Sequence, residues 1–322
     1  MNFGTYTAEN RTMKGNNTFM LKQFFKYIFQ SIAGMIGISV YILADTFFIS
    51  VHSGADGLAV LNLILPVYGV VYAIGAMIGI GSATRFGINR AKGEDTDHYF
   101  LQSVFWSVLC SVPFIITGIF APEKFLHLLG ADAGLIALGK SYLRIMLITT
   151  PLFMTNYTFT AFARNDQGTS TAMTGAISAS LFNIVFDYIF MFPMKLGLAG
   201  AALATAISPA ITMAICTTHY LGKKNHVGFR WVRPSIRHVV SCCQLGISAF
   251  VGELSSAIIT IIFNMLLLGI AGNVSVAAYG VVANLSLVAM SIFNGLAQGA
   301  QPLISKSYGE GQRDHVKSLL RW

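Results

Sequence analysis

The chain has 322 residues, 54% of them hydrophobic and only 11% charged, with a formal net charge of +8 and a mean hydropathy of +0.64. Soluble domains carry about 25% charged residues, so a soluble globular protein is excluded. The apolar residues fall in long blocks rather than short alternating segments, which points to membrane helices and excludes a transmembrane β-barrel.

The first 20 residues are polar and lack the apolar core of a secretory signal. Residues 1–23 read as a cytoplasmic N-terminal segment, followed by six spans at about 24–51, 57–86, 98–121, 135–161, 168–192 and 200–221. These form a first lobe over 24–221. The basic stretch 222–237 (GKKNHVGFRWVRPSIR) is a cytoplasmic inter-lobe linker. Two further spans, about 238–268 and 273–305, open a second lobe that runs to 322 as the start of a cytoplasmic loop. The expected fold class is an all-α polytopic membrane protein.

With the N-terminus in the cytoplasm, the inner segments hold 17 of the 21 basic residues, including Arg11, Lys14, Arg85, Arg90, Arg164, Lys223, Arg230 and Lys306. Only Lys124, Lys140, Arg144 and Lys195 fall near the outer face. The positive-inside rule therefore sets the orientation and accounts for the net charge without a nucleic-acid partner. Membrane lipids are the expected partners of the basic loops, and no obligate protein partner is evident.

Several smaller features read structurally. Cys110, Cys216, Cys242 and Cys243 lie in or beside apolar runs and act as small hydrophobes. Pro66, Pro113, Pro151 and Pro209 are expected to bend their helices. Gly75, Gly79 and Gly81 are expected to allow close packing. In GEDTD at 93–97, Thr96 or Asp97 is expected to cap the next helix. Asn284, Asn294, Gln298 and Gln301 line one side of the last span as interhelical hydrogen-bonding groups. The aromatics Phe47, Phe48, Phe153, Tyr157, Phe159 and Phe162, with Met154, read mainly as packing residues with some able to line a pocket for flat cations. No phosphate-binding glycine loop and no paired-acid motif at a membrane face occur, so the chain reads as a non-enzyme without cofactors.

One internal repeat stands out. GIGSATRFGINRAKGEDTDH from Gly79 matches GLAQGAQPLISKSYGEGQRDH from Gly295, at an offset of 216 residues. Gly79 pairs with Gly295, Ile88 with Ile304, Arg90 with Lys306, and Gly93 with Gly309. Six spans separate the copies, so they share one orientation, as in transporters built from parallel repeats. The first copy is followed by four more spans and the second by almost nothing. The expectation is therefore eight spans of twelve: six in the first lobe and two in the second, in a C-terminally incomplete chain.

Three carboxylates sit inside apolar spans: Asp45, Asp187 and Glu253. A charge at a helix centre costs about 2.5–3.5 kcal/mol on insertion scales, so such acids mark functional sites. Counting from the outer helix ends places Asp45, Asp187 and Thr205 at one depth. Tyr41 and Asn183 each precede an acid by four residues and share its face. This oxygen-rich set suits a hard monovalent cation, Na+, or a proton shared between two neighbouring acids.

ADTFFIS in the first span, NIVFDYIF in the fifth and GLAGAALATAISP entering the sixth resemble the multidrug and toxic compound extrusion (MATE) family. The resemblance implies two six-helix lobes with alternating access, and cation-coupled antiport that exports organic cations or drugs. It also implies a first-lobe cation site at Asp45, Asn183, Asp187 and Thr205, with Tyr41 nearby, and a second coupling or substrate acid at Glu253. The expected location is the plasma membrane, as in a bacterial inner membrane. The alternatives are a lipid-linked oligosaccharide flippase of related architecture, or a truncated product that transports nothing. A flippase would want cationic cavity residues, whereas the in-membrane charges are mainly acids.

Overall fold

The computed structural model describes the backbone from residue 3 to 321, and the side chains apart from those of residues 3–20, 260, 261, 264, 265, 267–281, 283 and 284. Arg11, Lys14 and Asn284 therefore lie outside the described side chains. The described chain is helical: α1 (Phe3–Ala91), α2 (Tyr99–Phe120), α3 (Pro122–Leu128), α4 (Ala133–Ile148), α5 (Thr150–Asn165), α6 (Thr169–Met191), α7 (Leu198–Tyr220), α8 (Ile236–Gly309) and α9 (Arg313–Arg321). Among the described residues five helices are long and apolar enough to cross a membrane, or six when the α4–α5 pair counts as one.

The two longest helices are hairpins. At 1.5 Å per residue, the sixty residues from Ile28 to Ile88 would span about 90 Å if straight. Yet Ile28 packs on Gly299 and Ile88 on Gly309, ten residues apart in α8. The reversal falls at Gly54, whose φ of 60° and ψ of −146° break the helix, a conformation open essentially to glycine alone. By the same reasoning α8 doubles back. Its first arm sets Cys242 and Gly246 against Gly81 and Met77, and Ala257 against Gly69. Its return arm sets Ser291 against Ser39 through their hydroxyls, and Gly295 against Ile32.

The glycines at these crossings have a physical role, because lipid offers no hydrophobic drive between helices and close van der Waals contact must replace it. A Cβ on Gly75 would sit 2.9 Å from Met154 Cα, and one on Gly79 would sit 2.6 Å from the Thr158 nitrogen. Gly81 approaches the Cys242 carbonyl as closely. The alanine-rich start of α7 serves the same end: Ala201, Ala202, Ala204 and Ala206 are all buried. Where α6 crosses α7, the Thr212 hydroxyl donates to the Gly175 carbonyl at 3.3 Å.

The span predicted as 135–161 is two helices bent by 44°. Pro151 has no N–H to continue the ladder. The Thr149 and Thr150 hydroxyls donate to the Ile145 and Leu147 carbonyls at 2.8 Å each, satisfying acceptors at the break. Pro66, Pro113 and Pro209 lie inside helices that run on through them. The expected cap at Thr96 or Asp97 does not form. His98 is the N-cap of α2 and offers no side-chain bond; ahead of it the Asp95 carboxylate accepts from the Asp97 backbone N–H at 3.2 Å and pairs with Arg230 of the 222–237 stretch.

The two repeat copies face one another. Gly87 meets Ser305, and the Gln301 amide donates to Thr84 Oγ1 at 2.8 Å. Each copy ends its helix with a glycine in the left-handed region two residues later: Gly93 (φ 77°) after Ala91, and Gly311 (φ 75°) after Gly309. The sequence match pairs Gly93 with Gly309; the backbone pairs it with Gly311, the position where a helix C-terminus needs glycine.

Candidate functional site

Gly34 and Gly37 draw the first arm of α1 against α6, where they meet Ala176 and Ser180 at 3.5 and 3.4 Å from an added Cβ. Two helical turns further along, this contact brings Asp45 of α1 level with Asp187 of α6. The two carboxyl groups lie within hydrogen-bonding reach of each other. Both are buried, Asp45 at 7% exposure and Asp187 at 0%.

Asn183 and Thr205 complete the cluster, also buried at 0% and 6%. In the amide orientation that satisfies its neighbours, Asn183 donates to Asp187 Oδ2 at 3.1 Å. Its oxygen then accepts from the Thr205 hydroxyl at 3.1 Å and the Thr205 backbone N–H at 3.3 Å. Asn183 thus holds Asp187 in place and ties α6 to the start of α7. Asp45 Oδ1 and Asp187 Oδ1 have no hydrogen-bond partner. Buried oxygens of this kind are rare, because each forgoes a bond that water would supply.

The structure brings together all four residues of the expected cation set. Tyr41 lies beside the two acids and near Tyr72 on the second arm of α1. Glu253 stands apart on α8, near Tyr157 of α5. The hydrogen-bonding reading of Gln301 also holds, since it pairs with Asn165 as well as Thr84. Phe153, Met154 and Phe162 are core residues, whereas Phe47 is 62% exposed. The four cysteines are free thiols.

Two features escape a reading by residue type. Tyr68, Tyr72, Tyr142 and Tyr157 join Tyr41 in a chain of phenols around the acids. Tyr68 donates to the Tyr142 hydroxyl at 3.1 Å, and the rings of Tyr72 and Tyr157 meet edge-on at 6.2 Å. A hydroxyl buried among helices needs a partner, and that was the available signal. The second is Asp166 at the end of α5, with its side chain at 0% exposure. It accepts from Arg90 Nη1 at 2.5 Å, and lies 3.0 Å from His219 Nε2 and 3.2 Å from His226 Nδ1. The His226 backbone N–H donates to it at 2.9 Å.

Among the described residues no three His, Cys, Asp or Glu side chains cluster as a transition-metal site would need. The donor set at Asp45, Asn183, Asp187 and Thr205 is all oxygen, which fits a hard cation. The two unpartnered carboxylate oxygens fit a proton equally. A separate cavity of about 500 Å³ opens between the arms of α1, α5, α8 and α9, lined by Arg90, Arg164 and Lys306 among others.

The sequence model of the MatE family matches residues 31–189 and 245–321, well over half of the chain. The multidrug export protein MepA of Staphylococcus saprophyticus is 27% identical over 288 residues, covering 88% of this chain and 63% of that protein. MepA of Staphylococcus haemolyticus is 25% identical, covering 87% and 64%. The chain therefore spans 63–64% of the length of these curated relatives. Among solved structures, the MATE multidrug transporter DinF-BH superposes with a TM-score of 0.83 at 24% identity, over 93% of this chain and 68% of that one. An outward-facing MATE family transporter of the MOP superfamily gives 0.84 at 22% identity, over 92% and 67%. The chain belongs to the MatE family of multi-pass membrane transporters, the multidrug and toxic compound extrusion proteins.

Proposed function

We propose that this protein exports cationic or amphipathic organic compounds by antiport against Na+ or H+, with Asp45, Asn183, Asp187 and Thr205 as the coupling site. One observation carries the reading: two buried carboxyl groups face each other, and each has an oxygen with no hydrogen-bond donor. Two carboxylates this close in a low-dielectric interior repel strongly when both are ionised. A proton on one of them, or a small cation between them, removes that cost and satisfies the open oxygens. Loading and unloading of that site is a local charge change able to bias a two-state helix arrangement. Tyr41 sits where its hydroxyl would respond, and Glu253 is the second coupling or substrate acid.

The organic-cation cargo follows from the in-membrane acids and from the relatives named as multidrug export proteins. Two parallel lobes, with eight crossings in this chain, fit the hairpin forms of α1 and α8, the facing repeats, and a family match in two stretches. The basic ends of these hairpins favour a cytoplasmic N-terminus in a plasma membrane.

The test is ethidium efflux from cells expressing the protein. The reading expects efflux that stops when both the sodium and proton gradients are collapsed and resumes when one of them is restored. Efflux that continues without either gradient would contradict coupling.

A further inference from the structure

We propose that the cavity at the ends of α1, α5 and α8 binds a phosphate group, carried by an anionic lipid headgroup or by free phosphate, with Arg164 and Lys306 as its cationic ligands. The site is separate from the acid pair, and its chemistry has the opposite sign.

The cavity holds about 500 Å³. Its walls come from both arms of α1, the last residues of α5, the end of the return arm of α8, and α9. Three cationic side chains line it, Arg90, Arg164 and Lys306, with Glu310 the one carboxylate among the described lining residues. The three cations differ in how far they are already satisfied. Arg90 donates to Asp166 at 2.5 Å. Lys306 has Glu310 four residues along the chain at 3.9 Å, beyond hydrogen-bonding distance. The Arg164 guanidinium has neither a hydrogen-bond nor an ion-pair partner among the described residues. The titratable groups near it are Tyr157, Cys216 and Tyr220, types that are neutral at pH 7.

A guanidinium carries five N–H donors and no acceptor. One that lines a cavity without an acceptor forgoes the stronger, charge-assisted class of hydrogen bond. Its planar fork matches a phosphate or a carboxylate. A phosphate presents oxygens in several directions, so one group can meet cations on two different helices, here α5 and α8. A cationic guest would meet three like charges, so this cavity does not suit the cargo expected near the acids.

The rest of the wall favours an amphiphile. Tyr27, Leu303 and Leu319 line the same cavity and are buried together in one apolar cluster. The helix ends around it carry the basic residues that favour a cytoplasmic placement, and basic pockets between helices on that side attract the anionic headgroups of the inner leaflet. A ligand held by Arg164 and Lys306 joins the first lobe to the second-lobe hairpin.

The test is isothermal titration calorimetry on the purified 322-residue chain in a neutral detergent. The probes are dioctanoyl phosphatidylglycerol, dioctanoyl phosphatidylcholine and inorganic phosphate. Phosphatidylglycerol or phosphate is expected to bind at least about tenfold more tightly than zwitterionic phosphatidylcholine. Arg164→Gln and Lys306→Gln should each weaken that binding about tenfold, the loss of one charge-assisted contact. Arg230→Gln removes a linker cation outside the cavity and should change binding less than about twofold. Phosphatidylglycerol binding without phosphate binding assigns a lipid headgroup. Phosphate binding with the same dependence on Arg164 and Lys306 assigns a soluble source. The proposal is overturned if neither anion binds, if phosphatidylcholine binds as well, if either cavity variant leaves binding unchanged, or if Arg230→Gln weakens it equally. Should Arg164→Gln not fold, Lys306→Gln decides alone, since the Lys306 side chain is 61% exposed and its loss is tolerable to the fold.

Discussion

Asp166 and the Asp45–Asp187 pair are both fully enclosed carboxyl sites, and they are built in opposite ways. Around Asp166 three cationic or protonatable side chains and a backbone N–H converge on two oxygens. Around the pair, among the described residues, there is no cationic partner, one amide donor, and two oxygens left open. The first arrangement is complete and joins the ends of α1, α5 and α7 to the linker that leads into α8. The second is incomplete and gains most when something positive arrives. A buried acid that is saturated serves the fold; one that is left wanting is available for ion handling.

The contrast can be tested by removing each carboxylate. Asp166→Ala leaves Arg90 partly enclosed without its partner, and breaking a buried pair in this way costs about 3–5 kcal/mol. A drop of that size in denaturant or thermal stability is expected, and an unchanged melting temperature would show that the hub is not structural. Overpacking at a helix crossing should cost less. Gly79→Leu forces the second arm of α1 off Thr158 and is expected to cost about 1–3 kcal/mol, read by the same melt. Asp187→Asn should have the opposite sign. It removes one of two facing acids and supplies a donor to the open Asp45 oxygen, a gain of about 0.5–1.5 kcal/mol. A marked loss of stability there would place Asp187 with Asp166 as a structural acid.

The smallest effect belongs to the exposed pair Asp95–Arg230. The Arg230 guanidinium beside Asp95 holds its carboxyl below the usual carboxylate range. The folded value lies below the unfolded one, so whatever the pair contributes is complete above pH ~4 and fades only as the pH falls further. Arg230→Gln should leave the neutral-pH melting temperature unchanged. A clear shift would show that this loop contact anchors the linker.

Much of this was legible in the sequence for a plain reason. A bilayer demands long apolar runs, so the spans are visible, and it makes charges costly, so Asp45, Asp187 and Glu253 stand out. Helical spacing then added Tyr41 and Asn183, and depth counting added Thr205. Asp166 stayed hidden because it lies at a helix end, where a carboxylate is ordinary and only the fold shows three partners closing on it. The pairing of Tyr68 with Tyr142 and of Tyr72 with Tyr157 stayed hidden because the members of each pair come from separate helices and no local spacing links them. The repeat was visible, but its turn register was not, since the letters do not show which glycine carries the positive φ.

The central claim is that the open acid pair, and not the closed one, drives transport. The most direct measurement is gradient-driven ethidium efflux by cells expressing Asp45→Asn, Asp187→Asn or the parent protein at matched membrane levels. The account predicts that both substitutions reduce efflux to the level of cells lacking the protein, although Asn preserves the shape of each side chain. Efflux at parental rates in either variant would contradict it.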